Sequence, residues 1–223
     1  MFRSVIVFIG YCLLACNAIA QSTSYFNKPD QNGQDRTFFG GLVLGLNACQ
    51  IDGDTYSGYH KAGLNAGVIE YVKIHPKALL SVELLYSQKG ARNVQVYNSP
   101  AVGSMPIIYT AKLNYIEIPV MAHYVFNDRI QGGVGLSYGR LFSDKESMDS
   151  YTASSINTNQ NTFRQQDINY LFGISYQLVN NLFVRMRYQY SLLSIRDANK
   201  IPIEFGTPAQ FNNLFAMQLV CLF

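Results

Sequence analysis

The chain is predicted to form an all-β, eight-stranded antiparallel up-and-down transmembrane β-barrel, and three observations carry that expectation. Apolar residues alternate with a period of two through most of the chain, the pattern of strands that show one face to an apolar medium, because successive side chains point to opposite sides. Charged residues make up only 14% of the chain, against roughly 25% in soluble proteins. The connections between alternating segments are short and long by turns, as in barrels whose turns lie on one side of a membrane and whose loops lie on the other. Beyond the amino-terminal leader no segment approaches the ~18 consecutive apolar residues of a membrane helix, so a helical membrane protein is excluded.

The leader itself, "MFRSVIVFIGYCLLACNAIAQ", has one basic residue, Arg3, then an uncharged apolar run, then Ala18-Ile19-Ala20 before Gln21. That is the layout of a secretory signal peptide, so residues 1–20 are expected to be removed on export. "LLAC" at 13–16 offers an alternative, since it resembles a lipoprotein cleavage box in which Cys16 becomes a lipidated first residue. Residues 21–36, "QSTSYFNKPDQNGQDR", are polar and are expected to form a flexible periplasmic leader, leaving 37–223 as the barrel domain. Of 17 basic residues only Arg3 is lost with the leader, leaving 16 against 14 acidic residues and no basic run, so nucleic acid is not an expected partner.

Eight strands are expected near 38–49, 60–73, 78–92, 110–126, 130–143, 166–178, 182–195 and 211–223. "IHPK", "NDR" and "VNN" supply tight turns from residues suited to them, while 50–59, 93–109, 144–165 and 196–210 are expected to be long loops. The fourth strand sets Ile116, Ile118, Val120, Ala122, Tyr124 and Phe126 against Tyr115, Glu117, Pro119, Met121 and His123. The sixth sets Phe172 and Ile174 against Gly173 and Ser175. A soluble eight-stranded barrel would turn its apolar face inward and cover its outside with Lys and Glu. Here the less apolar face is largely Gly, Ser, Asn and Gln, which suits a crowded narrow lumen, so Ile118, Val120, Phe172 and Ile174 are expected to face lipid. The second strand fits least well, because Glu70 shares a parity with Leu64, Ala66 and Val68; either it lies below the apolar band or a bulge shifts the register. Cys49 and Cys221 are expected at opposite edges of the barrel, far beyond the ~6 Å between α-carbons that a disulfide spans.

The inward face holds few charges: Glu83, Glu117, Arg185 and Arg187, with His123 nearby. Eight strands leave an interior just filled by side chains, and buried charges there must be paired, so these five residues are expected to form one shared charge cluster that plugs the lumen. A proton or ion path is the sharper alternative. His60, His75 and His123 have no neighbouring serine and carboxylate arrangement that would recommend a triad. Asp52-Gly53-Asp54 could give oxygens to calcium but more often makes a turn. The sequence has neither metal-ligand spacing of Cys and His nor a phosphate loop, so no metal, no cofactor and no catalytic residue is expected.

The last strand alternates Phe215, Met217, Leu219, Cys221 and Phe223 on one face, which resembles the carboxy-terminal signature of outer-membrane proteins read by the barrel-assembly machinery. "GLNACQIDGDTYSGYHKAGLNAGV" (45–68), "LLSVELLYSQKGA" (79–91) and "LNYIEIPVMAHY" (113–124) resemble the PorT-like outer-membrane β-barrel family, and the likeness runs through nearly the whole chain after the leader. The resemblance implies a small multi-pass barrel in the outer membrane of a Gram-negative cell, in contact with outer-membrane lipid. Its name-giving member is tied to protein secretion, and no catalytic residue transfers from it. The expected function is therefore a non-enzymatic barrel with an interaction or secretion and assembly accessory role, engaging a protein or surface partner through its loops or rim. The alternatives are a narrow ion channel and a membrane-embedded lipid-modifying enzyme.

Overall fold

A computed structural model describes residues 25–27, 29, 33–53, 58–99, 103–150, 153–156, 163–196 and 209–223. The expected signal peptide 1–20, with Cys16, and Asp54 lie outside the described residues. The strands are β1 (Phe38–Asp52), β2 (Lys61–His75), β3 (Ala78–Ser99), β4 (Gly103–Val125), β5 (Ile130–Ser150), the four-residue β6 (Ala153–Ile156), β7 (Gln166–Val179), β8 (Leu182–Ser191) and β9 (Phe211–Leu222). Each long strand pairs antiparallel with its chain neighbour, β5 pairs with β7, and β1 pairs with β9. Eight strands thus close into an up-and-down barrel, with β6 added to the far end of β5. Closure satisfies the backbone of every wall strand from within, which a spanning structure requires in lipid.

Inside and outside follow strand parity. On β1, Leu42, Leu44 and Leu46 are exposed while Phe39, Val43, Asn47 and Cys49 are buried. Exposed apolar residues continue around the wall through Leu84, Leu136, Met186 and Leu219, whereas Asn, Gln, Ser and charged side chains are buried inside. A soluble barrel has the opposite polarity, and an apolar surface this continuous would aggregate in water. Glu70 resolves the awkward parity of β2. The β1–β2 register runs unbroken from Phe38↔Val72 to Cys49↔Lys61, so Glu70 points outward, opposite Gly40 near the end of the barrel where the tight turns lie. Pro119 sits inward on β4, and because it has no N–H to donate the β3–β4 ladder lapses between Val82↔Val120 and Leu85↔Glu117 without losing register.

The three short turns share one end of the barrel. In the β4–β5 turn, Asn127 Oδ1 accepts the N–H groups of Arg129 (2.9 Å) and Ile130 (2.8 Å), a side chain standing in for a backbone turn. At the other end two expected loops are largely strand. The β3–β4 ladder continues to Ser99↔Gly103 and the β4–β5 ladder to Ile107↔Ser150, so most of 93–109 and the first part of 144–165 are paired. Val94, Val96, Ile107 and Ile108 keep strand propensity there; the polar residues between them read as loop only because no lipid face demands strict alternation. A bulge lies between Asn114↔Ser143 and Tyr115↔Leu141.

Three residues of the expected flexible leader, Tyr25–Asn27, dock on the barrel. Tyr25–Asn27 forms a 3-10 turn tucked into the turn end, where Phe26 is 2% exposed. Its ring meets Phe39 at 5.1 Å, Tyr71 at 5.2 Å and Phe183 at 5.6 Å between centroids, within a cluster that includes Leu79, Val125 and Leu222. Two aromatic residues in an otherwise polar stretch carry enough apolar surface to be drawn into that mouth. Cys49 and Cys221 are both free; Cys221 stands opposite Leu42 while Cys49 stands opposite Leu214, seven positions along the same ladder.

Replacing the outward Val120 by Arg should cost about 2–4 kcal/mol in a bilayer, the range for a cation near mid-membrane, measured by reversible unfolding from lipid vesicles. In the same assay Phe26→Ala should cost about 3 kcal/mol or more, as for other buried aromatic truncations; a cost near zero would place the 25–27 turn outside the barrel.

Candidate functional site

The lumen is built in layers. Above the aromatic layer at the turn end, Glu83 from β3 meets Arg185 and Arg187 from β8. Arg185 donates through Nη1 to Glu83 Oε1 at 2.8 Å and through Nη2 to Oε2 at 3.0 Å, a bidentate pair, while Arg187 Nη2 donates to the same Oε1. All three are fully buried. One carboxylate between two guanidinium groups leaves this layer one positive charge in excess.

A second layer lies toward the loop end. Lys89 Nζ is 2.7 Å from Glu117 Oε1 and 3.0 Å from Asp167 Oδ2, donates to Asn169 Oδ1 at 3.3 Å, and lies 4.9 Å from the centre of the Tyr115 ring. Gln189 donates to Glu117 at 2.8 Å and Asn212 to Asp167 at 2.9 Å. Two carboxylates around one ammonium leave this layer one negative charge in excess, so the two layers are complementary. Gln189 follows Arg187 on the inward face of β8 and brings the layers next to each other.

From the first layer a file of amides crosses the barrel. Arg185 Nε donates to Gln218 at 2.7 Å, Gln218 to Asn65 at 2.8 Å, Asn65 to Asn47 at 3.2 Å and Asn47 to Ser87 at 3.1 Å. Every donor points away from the guanidinium, so each bond polarises the next in the same sense, and the file stitches together β8, β9, β2, β1 and β3. At the loop end, Arg196 donates to Glu146 at 2.9 Å and lies 3.8 Å over the Phe163 ring, while Tyr109 donates to Glu146 at 2.7 Å. Ile195, Leu141 and Ile51 pack beside them. Backbone bonds from Arg164 to Ile195 (2.7 Å) and from Ile195 to Gln210 (2.8 Å) hold these segments across the mouth.

The five residues expected in one cluster are therefore divided. Glu83, Arg185 and Arg187 are together; Glu117 belongs to the second layer; His123 bonds Ser81 at 2.8 Å and packs against Tyr71 at 5.1 Å. Glu117 and Arg187 are not partners. Lys89 and Asp167 are the omissions. Lys89 shares the inward parity of Glu83 on β3, and Asp167 that of Asn169 on β7, so face assignment alone places both in the lumen. Glu146 and Arg196 gave no such signal, because both fall in expected loops. On the outer wall, Ile118, Val120, Phe172 and Ile174 are 42–53% exposed. Phe215, Met217, Leu219, Cys221 and Phe223 form the outward stripe of the last strand.

Glu83→Ala would strand two buried cations and should destabilise by about 3–5 kcal/mol. Glu117→Gln combined with Arg187→Gln should couple weakly, through the charge balance of the layers and not through a shared hydrogen bond, whereas Glu117→Gln with Lys89→Met should fall well short of the sum of its singles. Unfolding free energies of singles and doubles in one lipid system check both pairs.

The family profile described as outer membrane protein beta-barrel domain matches residues 20–197. No curated protein matches the chain in sequence. Among solved structures the chain is similar to Ail, the attachment invasion locus protein of Yersinia pestis, in complex with the heparin analogue sucrose octasulfate, at 9% identity and a TM-score of 0.45, over 84% of this chain and 100% of that one. It is similar also to Neisserial surface protein A, at 13% identity and a TM-score of 0.44, over 83% of this chain and 97% of that one. With a profile match across most of its length, the chain belongs to the outer membrane protein beta-barrel domain family.

Proposed function

We propose that the protein is a non-enzymatic outer-membrane barrel that holds a three-stranded sheet outside the cell as a recognition surface for another protein or surface. The observation that carries this is the difference in ladder lengths. β2 pairs with β3 only as far as Asn65↔Ser87, and β5 with β7 only as far as Arg140↔Gln166, yet β3, β4 and β5 remain paired to Ser99, Gly103 and Ser150. From Asn93 to Ser99, past the residues packed in the barrel mouth, a strand advances about 20 Å, so the end of the sheet stands clear of the barrel on the loop side, which is extracellular in barrels of this type. A free-standing ribbon gains little stability of its own, and its rigid backbone suits the presentation of contacts.

The lumen supports the same reading. Its layers of ion pairs and aromatic side chains leave the barrel an anchor rather than a conduit, and Ser81 bonds His123 among them. The PorT-like resemblance implies a secretion or assembly accessory role as the specific use of this surface, in a Gram-negative cell, with insertion directed by the outward stripe of β9.

Excising residues 95–107 and joining Val94 to Ile108 through an Asn-Gly turn should leave a heat-resistant folded barrel. Cells carrying it should lose most of the surface attachment or secretion that the full protein supports; retention of both at the level of the full protein would refute the reading. The intact protein should give no ion conductance in planar bilayers.

A further inference from the structure

The outward face of the wall changes character just above its aromatic girdle, and only on one side. Tyr86 and Phe142, 6.0 Å apart, mark the girdle on β3 and β5. Tyr86 stands opposite Ile116 on β4, and Lys112 comes four residues further out, ~13 Å along the strand. There Lys112 is paired across the ladder with Lys145 on β5, both exposed. Arg92 on β3, also exposed, is one outward position beyond, in the Arg92↔Thr110 pair. Directly opposed like charges destabilise a sheet, and among the described residues no carboxylate lies within ion-pair distance of these three. Asp144, the acidic chain neighbour of Lys145, pairs with none of them, and Glu146 is turned inward to Arg196.

On β2, Lys61 pairs with Cys49 and shares its inward face, so it lies behind the other three at the mouth of the lumen. Lys61 is only 8% exposed and has no carboxylate in ion-pair distance among the described residues. Its Cε lies 3.2 Å from the position a side chain would take at Gly90, the residue facing Lys112 on β3. Gly90 has φ +127°, a conformation that disfavours any side chain, so the backbone is left bare where the Lys61 stem crosses it. The rest of the circumference lacks this feature: β1 and β9 contain no Lys or Arg, and both arginines of β8 point inward. A general attraction to the membrane surface would be served by cations all round; three on the outward face of the neighbouring strands β3, β4 and β5 describe a site.

We propose that Arg92, Lys112 and Lys145 bind the phosphate groups of a phosphorylated lipid of the outer leaflet, whose acyl chains lie along the apolar wall below. The height decides for a lipid. The cations stand where headgroup phosphates meet the hydrocarbon boundary, with Tyr86 and Phe142 directly beneath to meet the upper acyl chains, whereas a soluble anion would gain nothing from that apolar neighbour. Anions between Lys112 and Lys145 would turn the repulsive cross-strand pair into an attractive one and stiffen the base of the protruding sheet.

The test uses the mature full-length protein in phosphatidylcholine vesicles doped with fluorescent diphosphorylated lipid A, with the same lipid lacking its phosphates, or with inorganic phosphate in the buffer. Energy transfer from a dye on Cys221 reports lipid enrichment around the barrel. The phosphorylated lipid should be enriched roughly tenfold over phosphatidylcholine, declining as salt rises. Lys112→Gln with Lys145→Gln should abolish most of that enrichment, whereas Lys73→Gln with Lys77→Gln at the turn end should not. Equal enrichment by the double variant overturns the site, and equal enrichment of the dephosphorylated lipid overturns phosphate recognition. Competition by inorganic phosphate at matched concentration overturns the lipid as its source. Enrichment of neither lipid, with binding of a polyglutamate peptide instead, overturns the assignment in favour of an acidic protein.

Discussion

A single carboxylate clamped by two guanidinium groups governs the interior of this barrel. Eight strands enclose a space that side chains must fill themselves, and Glu83 with Arg185 and Arg187 fills its middle with groups too costly to leave unpaired. That layer is one charge in excess, and the rest of the lumen answers it. The Lys89 layer carries the opposite excess, and the amide file leading away from Arg185 spreads positive potential across five strands. The polar residues of the lumen are one electrostatic system, closed at its two ends by apolar residues.

The wall and the lumen make opposite demands on every strand, and alternation meets both. Outward positions carry branched and aromatic residues that lipid accepts; inward positions swing between the very large and the very small. Gly133 and Gly173 leave room for neighbouring inward side chains, with the His123 ring pressed against the first and Met121 Cε within 3.6 Å of a side-chain position at the second. The His123 ring fits the narrow barrel because glycine stands across from it.

The barrel itself was legible because lipid enforces a strict period of two, and strand limits came within a few residues wherever the wall touches membrane. Legibility failed where that constraint ends. Beyond Arg92 and Tyr109 no membrane face enforces the alternation, so Val94 and Ile107 sit among polar residues that read as loop. Lys89 and Asp167 were readable by parity and escaped notice because each lies near a strand end, where a charge is ordinarily solvated. The partnership of Glu83 with both arginines, rather than a sharing of Arg187 with Glu117, depends on shear between strands that are not chain neighbours, and no local pattern encodes it. Tyr25 and Phe26 were hidden by their polar surroundings.

The pocket that receives Phe26 has walls from β1, β2 and β8: Phe39, Tyr71 and Phe183. No single hairpin contains it, and it comes into being only when the first and last strands have joined. The 25–27 turn therefore finds its place after the last strand has found its own, and its docking acts as a latch on the completed seam between β1 and β9. Reversal must release the latch before the seam can open, which ties the lifetime of the finished barrel to a short aromatic turn that spans no membrane.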